Sequence, residues 1–147
     1  MTLENLLKIG QLKSHATDAN EIHRLLEAVR RNLADAHVKE VSPETRFDAA
    51  YKAIMQAAHV ALMANGFRPD TNKPGHHMTV LQSLPTTIGL PSDRLTVLDA
   101  LRRKRNLSDY MGEDVDDVSA DTCIREAEQL LREVTAWLKK KRPDLLR

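Results

Sequence analysis

Between Leu95 and Tyr110 the chain reads LTVLDALRRKRNLSDY, an amphipathic helical pattern that turns strongly basic. Leu98 and Leu101 share a stripe, and Arg105 follows on it, seven residues after Leu98. A guanidinium never sheds its charge, so on a core-facing stripe it needs a carboxylate, a phosphate or water opposite it. Asp109, four residues on, is the nearest structural partner. A phosphate is the functional one: guanidinium forks match its oxygens, and Arg102 and Arg103 raise the local positive potential. Asn106 and Tyr110 share the adjoining face, where Tyr110 offers a hydroxyl donor and a flat ring. His76 and His77 open a second helix directly after a loop, a place suited to facing an anion or bracketing a cleft. They are not expected to hold a metal, because adjacent helical residues point about 100° apart. No glycine-rich phosphate loop, HExxH pair or nucleophile elbow is present. His59 reads as a partly buried structural histidine, and the single Cys123 as a small core residue. No cofactor is expected.

These residues need helices to position them, and the start and stop signals are plain. Residues 2–14 read as a short first helix capped by Thr2. Asp18, with Glu21 three residues later, opens a second helix carrying Ile22, Leu25, Leu26, Val29, Leu33 and Ala36 at helical spacing. Ser42-Pro43 places a cap before a proline at the first helical position. The helix that follows runs to Asn65-Gly66, about 24 residues or on the order of 36 Å. Its inner stripe is Phe47, Ala50, Tyr51, Ile54, Ala57, Ala58, Ala61 and Leu62, small enough in places for a neighbouring backbone to come close. Residues 66–75 form an irregular connection, and His76 begins a short helix that Pro85 stops. Pro91-Ser92-Asp93 starts the Arg105 helix, and an acidic loop follows from Gly112 to Asp117. Ser119 is the predicted cap of the last helix, whose inner face holds Cys123, Ile124, Ala127, Leu130, Leu131, Val134, Trp137 and Leu138. Strand-like alternation is absent, so the expected fold is all-α: an up-and-down four-helix bundle with additional short helices.

Bulk composition narrows the functional classes. The 147 residues suit one domain, with a core over about 20–140 and a short N-terminal helix in 1–17. Aromatic content is 3% and net charge +1, so attraction to nucleic acid must be local rather than global. The basic runs are Arg102–Arg105 and Lys139–Arg142, the second of which complements a helix C-terminus. One cysteine excludes an intramolecular disulfide and a cysteine-based zinc cluster. There is no signal-peptide pattern and no apolar run of about 20 residues, so a cytoplasmic protein without a membrane partner is expected.

The sequence around Arg105 resembles the HEPN domains, helical bundles in which an Arg and a polar residue precede a His near the end of the third main helix. The long Pro43 helix, the Gly75-His76-His77 entry and the closing helix with its Trp137-Leu138 end are similar to the bacterial members encoded beside nucleotidyltransferases. The resemblance spans roughly residues 20–140. It implies a module that binds RNA or nucleotide, or pairs with a nucleotidyltransferase, in a toxin–antitoxin or defence setting. It also implies a homodimer with a shared cleft. In active members the Arg and His cleave RNA without metal. Here Arg105 and Asn106 match, whereas Tyr110 stands where the His would be. A phenol with a pKa near ~10 does not exchange a proton near neutrality as an imidazole does. Tyr110 also lies about 140° round a straight helix from Arg105, so a local break or a second copy is required to bring them together. Two further readings stand beside this one: an active metal-independent endoribonuclease, with His76 or His77 supplying the imidazole from across the cleft, and a structural helical bundle that serves interaction. The expected site is Arg105, Asn106 and Tyr110 as reacting groups, with Arg102, Arg103, His76 and His77 contacting RNA.

Overall fold

The computed structural model describes residues 2–147. The chain is predominantly helical, with four long helices among the described residues, two of which pack closely on a third to form its body. Helix α1 (Leu3–Lys8) is followed by a short strand β1 (Leu12–Ser14), then α2 (Ala19–Ala36) and α3 (Pro43–Ala64). A second strand β2 (Phe67–Pro69) leads through a loop to α4 (His76–Gln82) and α5 (Leu84–Thr87). Helices α6 (Ser92–Met111) and α7 (Asp117–Lys141) complete the fold, with a 3-10 turn at Pro143–Leu146.

The caps explain where the helices begin. Asp18 accepts from the Glu21 N–H at 2.8 Å, and Ser42 accepts from Thr45 at 3.2 Å with Pro43 behind it. The cap of α7 is Asp116, which accepts from Ser119 N–H at 2.8 Å. Ser119, the expected cap, therefore sits inside the first turn; a carboxylate at the helix entrance also meets the positive end of the dipole. Asn65 and Gly66, at φ +90°, close α3 as expected.

Helix α3 is the centre of the packing. It pairs along its length with α2 on one side and α7 on the other. Its whole predicted inner stripe is buried, together with Ala53, Val60 and Ala64. Arg46, which the sequence reading passed over, is the buried arginine of this protein. Its Nε donates to the Ala36 carbonyl at the end of α2 at 2.9 Å, and Nη2 donates to Asp121 of α7 at 2.9 Å. One side chain thus ties three helices and satisfies an orphan carbonyl at a helix end.

Two parts of the chain differ from expectation. The predicted first helix ends at Lys8, and Leu12–Ser14 pairs antiparallel with Phe67–Pro69, Leu12 opposite Pro69. Three-residue strands are too short to show alternation, and a single buried side chain, Leu12, anchors β1 to the core. Pro85 does not terminate helical structure; it occupies the first turn of α5, where its missing N–H costs nothing. On α7, Leu131 and Trp137 are half-buried at the edge of the core, while Leu130 is fully inside it.

Helix α6 is attached more lightly. It buries only Leu98 and Leu101, against α3, α4 and α5. Its N-terminal half is held to α7 by Arg94, which pairs with both Glu126 and Glu133. Beyond Leu101 no α6 residue is buried, so the C-terminal two turns stand off the core and leave a cleft against α3.

Candidate functional site

A cavity of about 460 Å³ lies along that cleft, lined by Asp48, Tyr51, Lys52, Met55, Gln56 and His59 of α3, His77 of α4 and Arg105 of α6. The α3 residues run at spacings of three and four, so they form one stripe beside the alanine-rich buried face. Among the predicted site residues, the fold therefore brings Arg105 and His77 together, across about thirty positions of sequence.

Arg105 occupies the stripe position after Leu98 and Leu101, as the spacing required. It does not enter the core. Its side chain is 30% exposed, and Nε lies 2.9 Å from Oδ2 of Asp109, the partner four residues on. The guanidinium carbon stands 5.4 Å from the centre of the Tyr51 ring, a cation–π contact that holds the group at the cavity wall. Asp109 is its sole ion-pair partner among the described residues, and Asp48 lines the same cavity as a second carboxylate that feels its charge.

Tyr51 is the floor beneath that guanidinium. It is 4% exposed, and its hydroxyl is buried with no hydrogen-bond partner among the described residues. Burial pushes the phenol up to about 12, with Arg105 and Arg102 opposing, so it is a protonated donor at neutral pH. A buried hydroxyl without a partner beside a half-free guanidinium is unusual in a settled core.

The histidines are the other distinctive feature. Burial, with His77 and His76 nearby, lowers His59 to about 4. His77 is lowered too, first by burial and then by His76, Arg105 and Arg102. Two neutral imidazoles thus share the cavity, each with a donor and an acceptor nitrogen. At the other end burial raises the Asp48 carboxyl, as does Asp109, with Arg105 opposing.

The remaining predicted residues lie elsewhere. Tyr110 is 79% exposed and does not line the cavity. Helix α6 runs unbroken to Met111, so the angular separation of Arg105 and Tyr110 stands uncorrected, and Tyr110 takes no part in the cavity that Arg105 lines. Asn106, one step of about 100° from Arg105, is half-buried and outside the cavity lining. Arg102 and Arg103 both pair with Asp99, at 2.9 and 3.1 Å; Arg102 does not line the cavity, although its charge acts on Tyr51 and His77. Arg103 faces a different depression, with Lys104, Leu107 and Glu113. His76 does not line the cavity; it packs edge-on against His77, ring centres 4.6 Å apart at 79°. The Lys52, Gln56 and His59 contributions were missed in the sequence, although polar residues at 48, 52, 56 and 59 mark the stripe. No group of three or more metal-ligating side chains occurs among the described residues, and no helix there is long and apolar enough to cross a membrane.

No protein-family model matches the chain, and neither a curated protein nor a solved structure matches it.

Proposed function

We propose that this chain is a HEPN-like helical module that binds RNA or a nucleotide in the cytoplasm, through a phosphate held at Arg105. The observation that supports it is the meeting of Arg105, Lys52 and His77 in one cavity, with Asp109 occupying only one edge of the guanidinium. Arginine at such a position binds phosphate through two parallel hydrogen bonds. The resemblance to nucleotidyltransferase-associated proteins makes such an enzyme the expected partner, tested by co-purification.

The contact to phosphate is tested with labelled single-stranded RNA at two salt concentrations. Wild type should bind with affinity that falls as salt rises, and Arg105→Lys, which keeps the charge but loses the fork, should bind more weakly. Equal binding by wild type, Arg105→Lys and Arg105→Ala, all helical, would make Arg105 a structural arginine paired with Asp109 and leave an interaction bundle as the better reading.

A second reading is favoured by one observation: His77 is a neutral imidazole in the same cavity as Arg105. That is the chemistry absent from Tyr110. Metal-independent ribonuclease activity carried by this pair should persist in chelator and disappear in His77→Gln, whereas Tyr110→Phe should leave it unchanged.

A further inference from the structure

The cavity has two chemically different ends. Arg105 and Lys52 give one end its positive charge, balanced in part by Asp48. The other end is formed by Met55, Gln56, His59 and His77, none of which carries a charge at neutral pH. A phosphate alone would use only the first.

Each residue of the uncharged end has unused recognition capacity. The Gln56 amide oxygen accepts from Asn32 of α2 at 2.7 Å, which fixes the side chain and leaves its two N–H groups as donors. His77 packs edge-on against His76 and adds a flat ring to the cavity lining. His59 contributes a donor and an acceptor, and Met55 a polarizable apolar surface. Flat faces, soft apolar contact and donors and acceptors without charge are what a heteroaromatic base requires. At about 460 Å³ the cavity lies within the size range of small-ligand sites.

We propose that Met55, Gln56, His59 and His77 form a nucleobase subsite, so that the cleft takes one whole nucleotide, its base among these residues and its phosphate at Arg105 and Lys52. The proposal rests on the phosphate reading for the orientation of the ligand. It places base recognition on α3 and α4, on residues outside the Arg105–Tyr110 segment apart from the phosphate contact itself.

The test is calorimetric titration of the full chain with adenosine, guanosine, cytidine and uridine 5′-monophosphates, with ribose 5-phosphate, and with the four nucleosides. At least one mononucleotide should bind tenfold or more tightly than ribose 5-phosphate. Gln56→Met, similar in length but without donors, should reduce that preference severalfold and leave ribose 5-phosphate binding unchanged. Arg105→Lys should weaken mononucleotides and ribose 5-phosphate together. Ribose 5-phosphate binding as tightly as every mononucleotide overturns the base subsite and leaves the phosphate reading intact. Nucleosides binding as tightly as their monophosphates, with Arg105→Lys indifferent, overturn the phosphate reading and leave the base subsite. Binding of none of these overturns both. Circular dichroism on each variant shows whether the fold persists, and His77→Phe, which keeps a flat ring, serves should Gln56→Met unfold.

Discussion

Tyr51 and His59 stand about two helical turns apart on the cleft stripe and make opposite demands on the fold. The Tyr51 hydroxyl is buried without a partner, and removing such a group relieves an uncompensated desolvation. Tyr51→Phe should therefore leave stability unchanged or raise it by up to about 1 kcal/mol, read from a chemical denaturation midpoint. A loss of more than this would reveal a hydrogen bond, to water or to a neighbour, that the hydroxyl makes in solution. His59 acts through protons instead. Its folded pKa of about 4 lies below the ordinary value of about 6.5. Between those values the unfolded chain binds the extra proton and the folded chain does not, so stability must fall as pH falls through that window. The loss reaches at most about 3 kcal/mol at the acid end. Thermal melts from pH 7 to pH 4 should show a decline that is smaller in His59→Gln; identical slopes would mean that His59 is hydrated in solution.

At the scale of elements, the packing of α7 makes a sharper test than its sequence periodicity. Leu130 and Leu131 are adjacent, and both fit the apolar face when a helix is read as an ideal wheel. The fold buries Leu130 fully and leaves Leu131 at the edge. Leu130→Ala should cost about 2–5 kcal/mol, and Leu131→Ala distinctly less, by urea denaturation. Equal losses would place Leu131 in the core after all. The same contrast shows what was legible in the residues. Helix starts at Asp18 and Ser42 could be read directly, because a cap is a local device whose donor and acceptor lie within one turn, and the start at Pro91 from the proline itself, which makes no side-chain cap. The pairing of β1 with β2 could not, because its register is fixed by partners more than fifty residues away and by one buried leucine. The candidate site was half legible. Arg105 stood out because a charge interrupted an apolar stripe, and His77 because it opened a helix after a loop. The α3 contribution was hidden, because Lys52 and Gln56 look like an ordinary solvated face, and His59 like a structural histidine, until α4 and α6 are laid beside them.

For the whole molecule, the question is whether the cleft needs a second copy. The free end of α6 exposes Leu107, Tyr110 and Met111, and Val118 at the start of α7 is exposed as well. Arg103, Lys104 and Glu113 share one depression with Leu107, and Lys104 acts through its charge on Asp116, so basic and acidic groups are intermixed around this apolar end. An apolar group ringed by charges of both signs can meet a second copy of itself across a two-fold axis. A net charge of +1 adds no global repulsion. We propose from these exposed apolar side chains that two chains associate through this end of α6, with Tyr110 in the contact. Eight residues of a single chain already suffice to line the cleft. Assembly and binding should therefore separate. Light scattering at tens of micromolar should give twice the monomer mass for wild type and the monomer mass for Tyr110→Glu combined with Met111→Glu. The monomeric variant should keep its helical spectrum and bind single-stranded RNA within about threefold of wild type. If breaking the dimer abolishes binding while the helices remain, the cleft is shared between two chains, as the HEPN resemblance implies, and the geometry of a single chain is only half of the site.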